Sequence, residues 1–363
     1  MKKILMISFI ILISLSNSKI INAEYIERND NVFFDIKMLK KMEDSVIDNL
    51  PIYGGSNQDN FNYISENIKE NIEYRSFELL KGDENFNYDR EIVFDLMDGE
   101  ILHLSESSFM DSISLVRNKP DNLENILIID EAIRWATEEN ITDNFSFMDK
   151  QQIINVINNE LDKYGIDPND YNLQIFPISK KTLEKFQTYY NDNYSEQFNG
   201  ELDLVFDDYF LIRGLRIIDG KPFLQGEIGN ADNGTQVHGE YLTFVLSESG
   251  VILTHILNYY DIDQSQTISV VEQNDKKLLD LIENKFNNLL VVDEIFIDSY
   301  DVIYAPFPIN EKINKVRVMQ FEPIWIVNYR IKNSQYVPGD LQKPEFFYLE
   351  AYFKIRDNKE ILR

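Results

Sequence analysis

The chain has no cysteine among its 363 residues. That absence excludes disulfides, thiolate nucleophiles, thiolate metal sites and anchoring through a lipidated cysteine. Positive charge is scarce as well: 35 Lys and Arg stand against 62 Asp and Glu, for a net charge of −27. Such a field repels nucleic acid and anionic membrane surfaces and attracts cations and basic partners. Histidine occurs only at His103, His238 and His255. A hairpin centred near Ser249 would set His255 opposite Thr243 and His238 opposite Tyr260, too far apart to share a zinc ion. There is no Gly-x-Ser-x-Gly elbow, and Gly54-Gly55 is followed by neither Lys-Ser/Thr nor a helix start, so no phosphate loop is indicated. Beyond the N-terminus, no apolar run reaches membrane-spanning length.

The N-terminus itself is specific. Lys2 and Lys3 form a basic start, Ile4 to Leu15 is apolar apart from serine, and Ser16 to Ala23 is a polar stretch closing on Ile-Asn-Ala. This is the layout of a secretory signal peptide, with cleavage expected between Ala23 and Glu24 and an uncleaved anchor as the alternative, since Ile20 and Ile21 extend the apolar run. Loss of its three lysines would leave the mature chain at −30. The expectation is a secreted or cell-surface protein with no membrane span after cleavage.

Residues 24–120 read as a small β-rich module, with strands at Val32–Ile36 and Glu91–Leu96 and an Asp98-Gly99 turn into Ile101–Leu104. Residues 121–264 and 265–363 repeat one order, a helix followed by strands. Helical spacing covers Asp121–Asn140 and a stretch opened by Asp149 as N-cap and closed by Gly165. In the second copy Asn274 caps a helix through Leu278, Ile282 and Phe286. Strands follow, one of them ended by Pro306 and Pro308, another carrying Pro323 as a mark of an edge or bulge. His238–Asp261 is a hairpin turning on Ser247-Glu248-Ser249-Gly250. The fold expected is α+β, antiparallel sheets each covered by a helix.

Asp162-Lys163-Tyr164-Gly165-Ile166, the turn Ile218-Asp219-Gly220-Lys221-Pro222, the hairpin 238–260 and Glu322-Pro323-Ile324-Trp325 together resemble PepSY-like domains. Over about residues 120–363 the chain resembles an uncharacterised family of exported proteins of Clostridia-type, Gram-positive bacteria. More distantly it is similar to YycH/YycI-type regulators of sensor kinases. It departs from that pattern at Asn358-Lys359, where glycine is expected, and in lacking a lipidated cysteine. The resemblance implies two PepSY-like units that bind or regulate another protein, with no catalytic residues.

Candidate sites read from the residues are few. Asp261, Asp263, Ser265 and Glu272 follow the oxygen-ligand spacing of a calcium loop, but Gln266 stands where its glycine belongs. Calcium is the one cofactor this spacing allows; otherwise none is implied. Trp325, Tyr189, Tyr190 and Tyr194 are candidates for an aromatic recognition face. The expected role is an exported, non-enzymatic protein that binds an extracytoplasmic protein or peptide, with no oligomeric state indicated. A hydrolase assembled from dispersed Ser, His and acidic residues is the alternative, and a calcium-stabilised surface protein the third reading.

Overall fold

The structure is a computed structural model that describes residues 25–29, 31–56, 60–83, 88–107, 112–118, 129, 132–133, 135–136, 147–194, 206–229, 236–287, 294–313, 316–336 and 345–361. In chain order its first elements are β1 (Tyr25–Asn29), β2 (Val32–Asp35), α1 (Ile36–Asp44), β3 (Asp48–Ser56), α2 (Asn60–Asn71), β4 (Tyr74–Asp83), β5 (Tyr88–Leu96), β6 (Ile101–Ser107) and β7 (Ser112–Asn118). Next come α3 (Lys150–Lys163), β8 (Tyr171–Ile178), α4 (Lys180–Tyr194), β9 (Tyr209–Ile218), β10 (Lys221–Pro222), β11 (Glu227–Gly229), β12 (Gln236–His238), β13 (Tyr241–Ser247) and β14 (Gly250–Leu257). The chain continues through β15 (Asp261–Gln273), α5 (Asp275–Asn287), β16 (Ile295–Ile313), β17 (Val316–Lys332), β18 (Phe346–Lys354) and β19 (Lys359–Ile361). Two compact units result, each discontinuous in sequence. Unit 1 draws on Met1–Ser56, Ile218–Gly239 and Ile262–Arg363, and unit 2 on Asn57–Ile217 and Glu240–Asp261.

In unit 2 an antiparallel sheet runs β8-β9-β13-β14-β7-β6-β5-β4. Ile64 and Ile68 of α2 and Ile153, Ile157 and Leu161 of α3 pack with Phe94, Leu102, Leu104 and Phe244 on one sheet face. Burying such a side chain contributes about 1.5–3 kcal/mol. The ends of α3 are fixed locally. Asp149 accepts from the Gln152 amide, Gln152 returns a bond to the Asp149 amide, and both are 2.8 Å long. Gly165 takes φ +74° just past the helix, and the Ile166 amide closes back on the Leu161 carbonyl. This is the capping box and left-handed stop that Asp149 and Gly165 predict. In the β13–β14 hairpin Leu246 pairs with Val251, then a bulge shifts the register so that Val245 meets Leu253 and Thr243 meets His255. His255 therefore lies on the face away from the α2 and α3 core, which holds Leu242, Phe244, Leu246 and Ile256.

Unit 1 is built along β17. One side of β17 pairs with β16. The other side pairs first with β3, from Val318 to Phe321, and then with β18, from Ile324 to Lys332. β15 lies beyond β3, and β2 joins β16 in parallel. Met38, Leu39 and Met42 of α1 and Leu278, Ile282 and Phe286 of α5 share a core with Ile297, Val327 and Phe353. Asp275, in the first turn of α5, accepts from the Trp325 indole (3.1 Å), the Tyr300 hydroxyl (2.7 Å) and Gln273 (2.7 Å).

Pro306 and Pro308 do not end β16, which continues to Ile313. The Tyr304 carbonyl accepts from the Leu224 amide, so Tyr304 points its backbone polar groups away from β17. Residues 306 and 308 follow the same alternation, and the N–H each proline lacks would not have met β17. Pro323 pairs with Tyr304, so its nitrogen faces the other side of β17, in the gap between the β3 and β18 ladders. Asn358, at φ +50°, supplies the left-handed turn residue before β19 that glycine was expected to provide.

The expected fold class is overturned. The described residues are mostly strand, in large antiparallel and mixed sheets, and do not form helix-covered α+β units of PepSY type. The physical reason is pairing remote in sequence. β7 joins β14 through Ser114–Asn118 and Leu253–Leu257, which merges strands expected in separate modules into one sheet. Helices α1 and α2 also form in a stretch that reads as strands. Their signals are weak: α1 is short, and α2 is rich in asparagine, a poor helix former, although Phe61, Ile64 and Ile68 keep helical spacing. The predicted helix at 121–140 lies largely outside the described residues; within it Ile129, Ala132, Trp135 and Ala136 are helical and buried.

Asp275→Ala should leave the buried Trp325 and Tyr300 donors without an acceptor, a loss of roughly 3 kcal/mol in urea unfolding at about 1–3 kcal/mol per stranded group. A loss below about 1 kcal/mol would show that Asp275 does not hold α5 to the sheet.

Candidate recognition surface

The buried charges of unit 2 are tied to partners within that unit. Arg117 on β7 donates to Glu100 (2.7 Å), Glu160 (2.9 Å) and Asp98 (3.2 Å). Glu160 also accepts from Lys163, Tyr164 and Thr254. Burial alone would push the Glu160 carboxyl up, but Arg117 and Lys163 prevail and hold it below the usual carboxylate range. Arg216 on β9 donates to Glu240 and Asp170, both at 2.9 Å, and to the Tyr260 carbonyl; the Tyr171 hydroxyl donates to the second Glu240 oxygen. Here burial prevails: Glu240 lies above its usual range despite Arg216, and the Tyr171 phenol is pushed well up. A depression of about 250 Å³ beside Arg117 is lined by Asn71, Ile72, Glu73, Met97, Asp98 and Lys163. Arg117 turns its donors to three carboxylates of the fold, which makes it a structural cation.

The histidines are dispersed. His103 meets Glu91 at 2.7 Å and His238 meets Glu227 at 2.9 Å, the latter contact holding the Glu227 carboxyl below its usual range. His103 and His255 both pair with Val116 from opposite sides, so they share a sheet face two strands apart, roughly 10 Å. That separation is several times a zinc–nitrogen bond of about 2 Å. No serine hydroxyl among the described residues is hydrogen-bonded to His103. His255 packs edge-on to Tyr241, with ring centroids 5.5 Å apart, and burial pulls it down to about 4.

The aromatic candidates fall apart as a face. Trp325 is 0 % exposed, its indole spent on Asp275. Tyr189 and Tyr190 are half-buried on α4, where Tyr189 stacks on Trp135 at 5.6 Å and Tyr190 contacts Phe186. The Tyr194 side chain, Ala23 and Glu24 lie outside what the structure describes.

Asp261, Asp263, Ser265 and Glu272 all lie on β15 and do not converge. At about 3.3 Å per residue, Asp261 and Glu272 stand roughly 36 Å apart, whereas calcium ligands sit about 2.4 Å from one ion. Among the described residues no group of three or more His, Asp or Glu could hold a metal ion.

β15 instead presents a surface that the residues alone did not disclose. Among the described residues β15 is paired with β3 alone. Ile268 and Val270 are 50 % and 63 % exposed on one face, while Val271 points into the unit 1 core. An open edge offers unpaired N–H and C=O groups to an added strand. β4 of unit 2 is also an edge, with Phe77 and Leu79 exposed. Thr267–Val271 reads as a strand from sequence; the signal that could have marked its surface was the alternation Thr267-Ile268-Ser269-Val270, free of proline and glycine.

Comparison with known proteins adds the fold alone. No family model and no curated protein matches the chain. Its structure is similar to the crystal structure of an uncharacterized protein from Eubacterium rectale ATCC 33656, with a TM-score of 0.54, 12 % identity, and coverage of 94 % of this chain and 93 % of that one.

The half-buried His255 makes stability depend on pH. With its folded pKa of about 4 below the unfolded value of about 6.5, the unfolded chain binds the proton first as pH falls. Stability present above about pH 6.5 is therefore lost towards pH 4, at up to about 1.4 kcal/mol per unit. His255→Gln should lose about 2 kcal/mol less than the native chain between about pH 7 and 4.5, read from urea midpoints. Equal losses in the two proteins would contradict this.

Proposed function

We propose that this chain is an exported, non-enzymatic protein that binds another extracytoplasmic protein, and that the open edge of β15 is where it binds. The observation that carries this reading is that β15 is paired among the described residues with β3 alone and holds Ile268 and Val270 exposed. Native sheets blunt such edges with short strands, proline or charged side chains; β15 is long and free of proline, and its carboxylates stand toward its ends, leaving residues 264–271 uncharged. Main-chain pairing to an open edge is a recurring mode of peptide recognition. The buried carboxylates described above are committed to structural partners, which supports a binding role over a hydrolytic one. The likeness to YycH/YycI-type regulators points the same way.

Export rests on the N-terminal layout. Cleavage after Ala23 would leave the fold's own N-terminal tie in place. Tyr25 donates to Asp298 (2.6 Å) and accepts from Arg330 (2.9 Å), whose guanidinium also lies over Phe296 and Phe346. Burial and Asp298 push the Tyr25 phenol up to about 12. N-terminal sequencing of the protein recovered from culture medium or cell wall should begin at Glu24; recovery only of chains beginning at Met1 would count against cleavage.

The absence of cysteine permits a direct test of the surface. A photo-crosslinker on Val270→Cys should join the chain to a discrete extracytoplasmic protein, and the same label on Glu43→Cys, exposed on α1, should not. Identical products from both positions, or none from Val270→Cys, would overturn the assignment of β15.

A further inference from the structure

We propose that Arg216 fastens the chain crossings between the two units to one buried point, so that neither unit unfolds without the other. The chain passes from one unit to the other four times, at Ser56–Asn57, Ile217–Ile218, Gly239–Glu240 and Asp261–Ile262. Arg216, Glu240 and Tyr260 each lie at or next to one of the last three crossings, and Arg216 binds the other two residues. Its Nη1 donates to Glu240 (2.9 Å) and to the Tyr260 carbonyl, and its Nη2 to Asp170 (2.9 Å). The Tyr260 amide donates in turn to Glu240. Asn60, which opens α2 just past the remaining crossing, donates to the Tyr259 carbonyl at 2.9 Å. Arg216, Glu240 and Asn60 are buried, and all of these bonds lie within unit 2. The planar fork of a guanidinium can reach several acceptors at once, as a single ammonium cannot.

The position of these bonds along the chain gives them their effect. β9 and β13 pair antiparallel, Phe210–Gly214 against Leu242–Leu246, yet Ile218–Gly239 between them belongs to unit 1. There Leu224, Ile228 and Val237 share a core with Ile303, Ala305 and Phe307 of β16, and the Leu224 amide donates to the Tyr304 carbonyl. The Arg216–Glu240 pair therefore closes the base of this segment as a crosslink would. If unit 1 came apart alone, Ile218–Gly239 would remain a loop closed at both ends, which gains less disorder than a free chain. Opening unit 2 releases the pair, and with it the fixed ends of all three segments that make up unit 1.

A single buried thiol in an otherwise cysteine-free chain reports each unit separately: Val327→Cys in unit 1 and Val245→Cys in unit 2, both 0 % exposed in the native chain. Labelling of each thiol is followed against urea in the mature chain, residues 24–363. The two midpoints should agree within about 0.3 M. Ile157→Ala, a core truncation in unit 2 that removes none of these bonds, should lower both midpoints together by about 0.5 M or more. Arg216→Met with Glu240→Gln should separate the midpoints by about 1 M or more. Arg216→Lys, which keeps the charge and loses the fork, should separate them as well and carries the test if the double variant does not fold. Separate midpoints with Arg216 in place, an Ile157→Ala effect confined to the unit 2 thiol, or midpoints that stay together in the Arg216 variants would overturn the proposal.

Discussion

Backbone pairing along β17 is the interaction on which unit 1 depends. This strand holds β16 on one side and divides the other between β3 and β18. The division is possible because Pro323, which has no N–H to give, falls where neither neighbour needs one. β3 is seated against Val318–Phe321, and beyond it lies β15, which among the described residues pairs with β3 alone. The functional surface thus follows from the order of the sheet. Among the described residues the sheet ends on β15, a long strand whose central residues 264–271 carry no charge.

Buried charge serves the fold. Arg117, Arg216 and Asp275 each collect several partners, at desolvation costs that only multiple charge-assisted hydrogen bonds offset. Breaking one such set by removing one member costs more than the set contributes over an apolar core, so these residues specify arrangement more than they add stability. The same pairing leaves Glu160 and Glu240 poor candidates for proton transfer to an outside molecule.

What could be read from residues was local. Asp149, Gln152 and Gly165 announce both ends of α3, and Gly250 announces the hairpin, because capping and turn chemistry act within a few residues. Pairing of β7 with β14, or of β2 with β16, leaves no such mark, since those partners are chosen by packing across well over a hundred residues. The calcium-like spacing at Asp261, Asp263 and Ser265 has a plain cause: oxygen ligands at positions 1, 3 and 5 of a calcium loop share the period of two of a strand. Trp325 illustrates the complementary ambiguity. An aromatic at strand spacing suits a binding face or a core equally, and only Asp275, fifty residues away, identifies it as core.

Amide hydrogen exchange along residues 262–273, in the free chain and in the chain joined through Val270→Cys to its extracytoplasmic partner, tests the central claim most directly. The account predicts that amides on the open side of β15 exchange quickly when free and become protected in alternation on binding, while those of β4 stay unchanged. Protection confined to β4, or a β15 already protected on both sides in the free chain, would contradict it.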